Sequence, residues 1–167
     1  MERQAILDAI APCALCCYTC PAKKDGILAQ TARTLYKYHE GYCAFLRSAL
    51  PKRCKRICKA ESVFLDRLEQ KAQASCNGCR DGERGKYCIR NCFVSACAAE
   101  HGVDFCGECD EFPCDKGKEL FARSERVLED WLAGNERIRA VGAQRYYEEV
   151  ISRSHYASFA QDADGQR

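Results

Sequence analysis

The chain has 167 residues, 47% hydrophobic and 30% charged, with a formal net charge of +2. That balance excludes a disordered chain, and the near-neutral charge does not call for nucleic acid, an anionic membrane or an acidic substrate. One number stands apart, because 15 of the residues are cysteine.

The length fits one domain, expected over residues 1–160 with a frayed polar tail over 161–167. No apolar run approaches the roughly 18 residues that a membrane span needs. Glu2 and Asp8 fall where a signal peptide would place uninterrupted apolar sequence, so a cytoplasmic location is expected. In a reducing cytosol disulfides rarely persist, whereas thiolate–metal sites do, and clustered cysteines there read first as ligands.

Residues 1–10 read as a short helix with Ile6, Leu7 and Ile10 on one side, running into a first cysteine cluster at 11–20. Helices are expected over 27–74. The first carries Ile27, Leu28, Thr31, Leu35, Tyr38, Cys43, Leu46 and Leu50, with Gly41 as an interruption. Pro51 then opens a second helix that places Cys54, Ile57, Cys58, Leu65, Leu68 and Ala72 on one face. Opposite them, Lys52, Lys55, Arg56 and Lys59 form a basic stripe, read as a solvated face. Residues 75–116 turn to Cys, Gly, Asp and Arg, a poor basis for a conventional core and a good one for a metal-organised segment. Helical spacing returns over 117–153. Leu120, Val127, Leu128, Trp131 and Leu132 read as one helix; Ile138, Val141, Tyr146 and Val150 follow beyond a break at Gly134-Asn135, with Gly142 kinking or splitting this last part. No sustained strand pattern occurs. The expected class is mostly α, a small helical domain with a cysteine-rich, loop-rich metal-organised segment of zinc-knuckle-like turns.

The cysteine spacings carry the chemistry. Cys76, Cys79, Cys88 and Cys92 form C-x2-C-x8-C-x3-C, with Gly78 allowing the positive φ and close backbone approach of a knuckle turn. Cys97, Cys106, Cys109 and Cys114 form C-x8-C-x2-C-x4-C, again four soft ligands for one tetrahedral ion. His101 stands four residues after Cys97, either as a ligand or as the end of a helix before Gly102. Cys13, Cys17 and Cys20 supply three ligands and leave a fourth open, for which Cys16, Cys43, Cys54 and Cys58 are candidates. Cys54 and Cys58 read more simply as small hydrophobes on an apolar face. The same trio spacing also serves iron–sulfur clusters with one open iron, but strand–helix alternation and a compact ferredoxin run are both missing.

The run Gly102-Val103-Asp104-Phe105-Cys106-Gly107-Glu108-Cys109-Asp110-Glu111-Phe112-Pro113-Cys114, together with Ala11-Pro12-Cys13 and Cys76-Asn77-Gly78-Cys79-Arg80, resembles the bacterial and archaeal DUF3795 family. The stretch Asn135-Glu136-Arg137-Ile138-Arg139 through Tyr146-Tyr147-Glu148-Glu149 is similar to the tail of its longer members, so the resemblance spans residues 11–149. It implies that Cys13, Cys17, Cys20, Cys76, Cys79, Cys88, Cys92, Cys97, Cys106, Cys109 and Cys114 belong to the family pattern and that Cys16, Cys43, Cys54 and Cys58 do not. It brings no activity. One departure is Ala14, where the family usually has glycine.

The leading expectation is a metal-binding protein whose cysteines hold two or three zinc ions as the organising core of an interaction module with a protein partner. The alternatives are an iron–sulfur protein in electron transfer or redox sensing, and a thiol–disulfide enzyme using Cys106 and Cys109. The last lacks the thioredoxin-like context of such a pair. His39, His101, His155 and the scattered carboxylates assemble no catalytic set.

Overall fold

In the computed structural model, residues 2–80, 89–154 and 156–160 are described, without the side chains of Arg53, Lys55, Arg56, Cys58, Ser158 and Ala160. The fold is mostly α. Eight helices occur among the described residues: α1 (Arg3–Ala9), α2 (Ile27–Ala49), α3 (Pro51–Ala72), α4 (Val94–Glu100), α5 (Asp115–Phe121), α6 (Glu125–Val141), α7 (Ala143–Val150) and α8 (Ala157–Ala160). Single 3-10 turns lie at Cys17–Thr19 and Cys106–Glu108, and the only β features described are the isolated bridges Ile10 to Cys16 and Lys23 to Cys76. No described helix is long and apolar enough to cross a membrane.

Helices α2 and α3 pair as a long antiparallel hairpin. Pro51 sits in the first turn of α3, where its missing N–H and fixed φ cost nothing. Gly41 does not interrupt α2. Nothing lies within 4 Å of the place a Cβ would take, so glycine there costs helix propensity of about 1 kcal/mol and no packing. Arg33 fastens the open end of the hairpin, donating to the carbonyls of Ala72 at 3.1 Å and Lys24 at 2.8 Å. Lys52 and Lys59 of the basic stripe are solvent-exposed; the side chains of Lys55 and Arg56 lie outside the described residues.

The other helices build the body. One core cluster joins Ile6, Ala9 and Ile10 of the α1 region to Ala14, Phe105, Ile138 of α6 and Tyr146 of α7. A second surrounds Trp131 with Ala11, Cys13, Val94, Phe112 and Phe121. The Phe121 ring stacks on Trp131 and the Phe112 ring meets it edge-on, each with centroids 5.0 Å apart.

Two helix boundaries depart from the pattern expected of the sequence. The span from Leu120 to Leu132 is two helices, because α5 ends at Phe121 and α6 begins at Glu125. Gly134-Asn135 is not a break, and α6 runs through both to Val141, ending at Gly142 with φ +81°. Both residues serve tertiary packing instead. A Cβ on Gly134 would come within 2.9 Å of the Ala14 methyl and of the Tyr146 Oη, and Asn135 is wholly buried with its amide bonded across the core.

Ala14 adopts φ +66°, the left-handed conformation suited to glycine. The turn after Cys13 is therefore made without one, at a cost of about 1 kcal/mol. Tyr146 closes over it, donating from its hydroxyl to the Ala14 carbonyl at 2.8 Å. Burial pushes the phenol up to about 12, with the neighbouring thiols adding to the effect. Because the folded value lies above the ordinary one near 10, this contribution to stability is complete below that range and is lost as pH rises through about 12. Tyr146→Phe is expected to cost about 1 kcal/mol at neutral pH and to flatten the alkaline loss, read by urea titrations at stepped pH.

Candidate metal centre

Four cysteines from three segments converge on one side of Trp131. Cys97 comes from α4, Cys106 and Cys109 from the 3-10 turn and its end, and Cys114 from the cap of α5. All four line a cavity of about 30 Å³ with Val103, Phe112 and Trp131. Burial, with the neighbouring sulfurs adding to it, raises the thiol pKa of Cys97 and takes that of Cys106 to about 11. Two N–H groups lie beside the sulfurs. The backbone N–H of Gly117 donates to Cys114 Sγ at 3.4 Å. Trp131 Nε1 is buried without a partner of full hydrogen-bond geometry, and it acts on Cys106 in the direction that favours the thiolate.

Close backbone packing holds this turn. A Cβ on Gly107 would collide with the backbone carbonyl of Asn135, so glycine is required here by proximity to α6. The Asn135 amide locks the contact, its Oδ1 accepting from the Gly107 N–H at 2.8 Å and its Nδ2 donating to the Trp131 carbonyl at 2.8 Å. Arg139, one turn further along α6, donates to the carbonyls of Gly107 at 2.7 Å and Cys109 at 2.8 Å, and lies over the Phe112 ring. Glu108 caps the turn, accepting from the backbone N–H groups of Asp104 and Phe105. Its carboxylate is thus engaged, and Cys106-Gly107-Glu108-Cys109 forms a 3-10 turn, not the helix start of a thioredoxin-like pair.

His101 ends α4 before Gly102, whose φ is +66°. Its Nδ1 lies 2.9 Å from the Cys97 carbonyl and 3.7 Å from the Cys97 sulfur, and its Nε2 is 3.8 Å from Glu111. The capping geometry is the better formed of the two roles open to it.

The trio Cys13, Cys17 and Cys20 is not a site apart. With Cys76, Cys79 and Cys92 it lines a second cavity, about 120 Å³ in volume, closed by Leu15, Ile89, Val94 and Phe121. The neighbouring Cys79 thiol, together with burial, holds the Cys17 thiol far above the usual range. Cys13 is driven up by burial and then by Cys79, Cys106 and Cys92, and Cys20 by burial and then by Cys76 and Cys79. The strand-like pairing of Lys23 with Cys76 brings the two stretches together, through Cys76 N–H to the Ala22 carbonyl at 3.0 Å and Lys24 N–H to the Cys76 carbonyl at 2.9 Å. Gly78 takes φ +112° in its knuckle turn, and the Lys23 ammonium donates to the Asn77 carbonyl. Arg80, which follows this turn, ties it to the neighbouring one by donating to the Asp104 carbonyl at 2.8 Å and lying over the Phe105 ring. The two thiol groups adjoin, because the Cys106 N–H donates to the Pro12 carbonyl at 2.8 Å.

Cys88 lies outside the described residues, as does the side chain of Cys58. Cys16 lines a different groove, beside Tyr146 and Gly134, while Cys43 and Cys54 are buried within the α2–α3 hairpin. None of Cys13, Cys17, Cys20, Cys76, Cys79, Cys92, Cys97, Cys106, Cys109 and Cys114 is in a disulfide. Among the described residues, no group of three or more His, Cys, Asp or Glu side chains is placed so that it could hold a metal ion. The donor set nonetheless fits a soft cation, with thiols in each cavity, N–H groups aimed at sulfur in the smaller one, and a half-buried guanidinium beside the larger.

Spacing alone did not reveal Trp131, Asn135, Arg80 or Arg139. Their available signals were slight: the lone tryptophan, the position of Arg80 directly after Cys79, and the four-residue steps from Trp131 to Asn135 to Arg139 along one helix. No curated protein matches the chain, and no solved structure does. From residue 9 to residue 119, a span that holds every cysteine of the sequence, the chain matches the family described as "Protein of unknown function (DUF3795)", and it belongs to that family.

Proposed function

We propose that this chain is a thiolate metal protein in which zinc, bound at the two cysteine-lined cavities, organises a helical interaction module. The observation that carries the reading is the smaller cavity. Four thiols from three segments face a space of about 30 Å³, with the buried Trp131 N–H left to find its acceptor among them. A thiolate is the acceptor that such a donor would favour, and soft-metal ligation is what makes a buried thiol a thiolate near neutral pH. The space suits one ion. Cys97, Cys106, Cys109 and Cys114 would hold it, and the metal would supply cross-linking of α4, the 3-10 turn and α5.

The larger cavity supports a second reading. Six cysteines face about 120 Å³, more ligands than one tetrahedral ion uses, and an iron–sulfur cluster with a redox role would draw on the same thiols. Counting zinc, iron and sulfide per chain in protein purified without oxygen decides between them. Zinc without sulfide is the expected result; iron with sulfide and absorbance in the visible would replace it with the cluster, and metal-free protein of unchanged fold would end both readings.

A further inference from the structure

The α2–α3 hairpin carries a second seam that nothing in the described chain covers. Ala29, Ala32, Cys43 and Leu46 of α2 are buried toward α3. Beside them, Leu28, Leu35 and Tyr42 recur every seven residues, with Thr31, Tyr38 and Phe45 each three residues further on, the a and d spacing of a helix-pairing seam. These side chains face solvent, with Tyr38 72% exposed and Phe45 56%. The positions alongside, Thr34, Gly41 and Ser48, are also exposed and carry no charge. The charges of α2, on Arg33, Lys37, Glu40 and Arg47, fall on the other side of the helix.

We propose that this seam pairs with the seam of a second copy, joining two hairpins into a four-helix bundle. The argument for a second copy is area and charge. The exposed surface of one seam is on the order of 600 Å², at the upper end of the patches that monomers ordinarily leave bare, and two facing seams reach the lower limit of stable interfaces. An uncharged stripe offers nothing to an acidic or basic partner. Run against itself, it brings no like charges together. An antiparallel two-fold arrangement sets Tyr38 opposite Tyr42 and Leu35 opposite Phe45, and places Gly41 beside the axis, where its missing side chain lets the two backbones approach. The inference is independent of the metal reading, because it draws on no cysteine of either cavity.

Sedimentation of the full chain, from micromolar to near-millimolar concentration, tests it. The expected result is a dimer for the wild type and monomers for Tyr38→Glu and Tyr42→Lys separately, with helical circular dichroism unchanged because both rings are exposed. Mixing the two variants is expected to restore a dimer, since the introduced charges face each other across the axis. Tyr38→Ser adds no charge and is expected to weaken the dimer about tenfold. A wild type that stays monomeric throughout overturns the proposal and leaves the seam to a helix of another protein. Variants that dimerise as tightly as wild type overturn it too, and a mixture that forms no dimer overturns the antiparallel register.

Discussion

Removing bound metal with a strong chelator is expected to move the fluorescence of the single tryptophan to the red and to take away the helical signal of the body while sparing that of the hairpin. Trp131 is only 2% exposed and stands between the four-cysteine cavity and the rings of Phe112 and Phe121, so loss of the metal opens its surroundings directly. The magnitude favours collapse. A structural zinc site supplies roughly 10 to 16 kcal/mol of apparent folding energy, as much as the whole net stability of an ordinary domain, about 5 to 15 kcal/mol. Helices α2 and α3, with 23 and 22 residues, pack chiefly on each other, and nearly half of the helical signal should therefore survive. Lower pH is expected to act in the same direction, because protons compete with metal for the thiolates. If emission, circular dichroism and protease resistance are all unchanged after verified metal removal, the metal-organised reading is lost.

Asn135→Ala is expected to cost about 3 kcal/mol and to speed metal release from the smaller cavity. The amide is wholly buried and bridges the Gly107 N–H to the Trp131 carbonyl. Its removal leaves a buried donor unpaired, worth about 1 to 3 kcal/mol, and adds a void beside it. Asn135→Asp should be worse, since it buries a charge and still loses the donor to Trp131. Gly107→Ala attacks the same contact from the other side, through collision with the Asn135 carbonyl. Denaturant titration of the metal-loaded variants reads the stability, and transfer of metal to a coloured chelator reads the site. A variant that loses stability and keeps the wild-type transfer rate would place Asn135 in the core alone.

The helical class, the start of α3 at Pro51, the helix end at His101-Gly102 and the positive φ of Gly78 were all legible from local pattern. Gly41 and Gly134-Asn135 misled for a shared reason. Glycine and asparagine weaken an isolated helix, but a long helix with a packed face absorbs that cost. At Gly134 the small residue is demanded by Ala14 and Tyr146, neighbours that no window along the chain contains. The resemblance drawn from residues 135–149 falls beyond the matched span 9–119, yet those residues carry the Asn135, Arg139 and Tyr146 contacts that brace the cysteine turns.

Local pattern was enough to read the available ligand chemistry and its spacing: eleven cysteines of the family pattern, two C-x2-C pairs with a glycine inside each, and helical spacing around them. Spacing constrains only what lies within a few residues, so it could say that Cys76 and Cys79 act together, and not what meets them. The tertiary structure alone decided that Cys13, Cys17 and Cys20 share a cavity with Cys76, Cys79 and Cys92, through the pairing of Lys23 with Cys76 across some fifty residues of intervening hairpin. It likewise set Trp131 and Asn135 against the turn at Gly107, because the close approach of α6 leaves room there for a residue with no side chain.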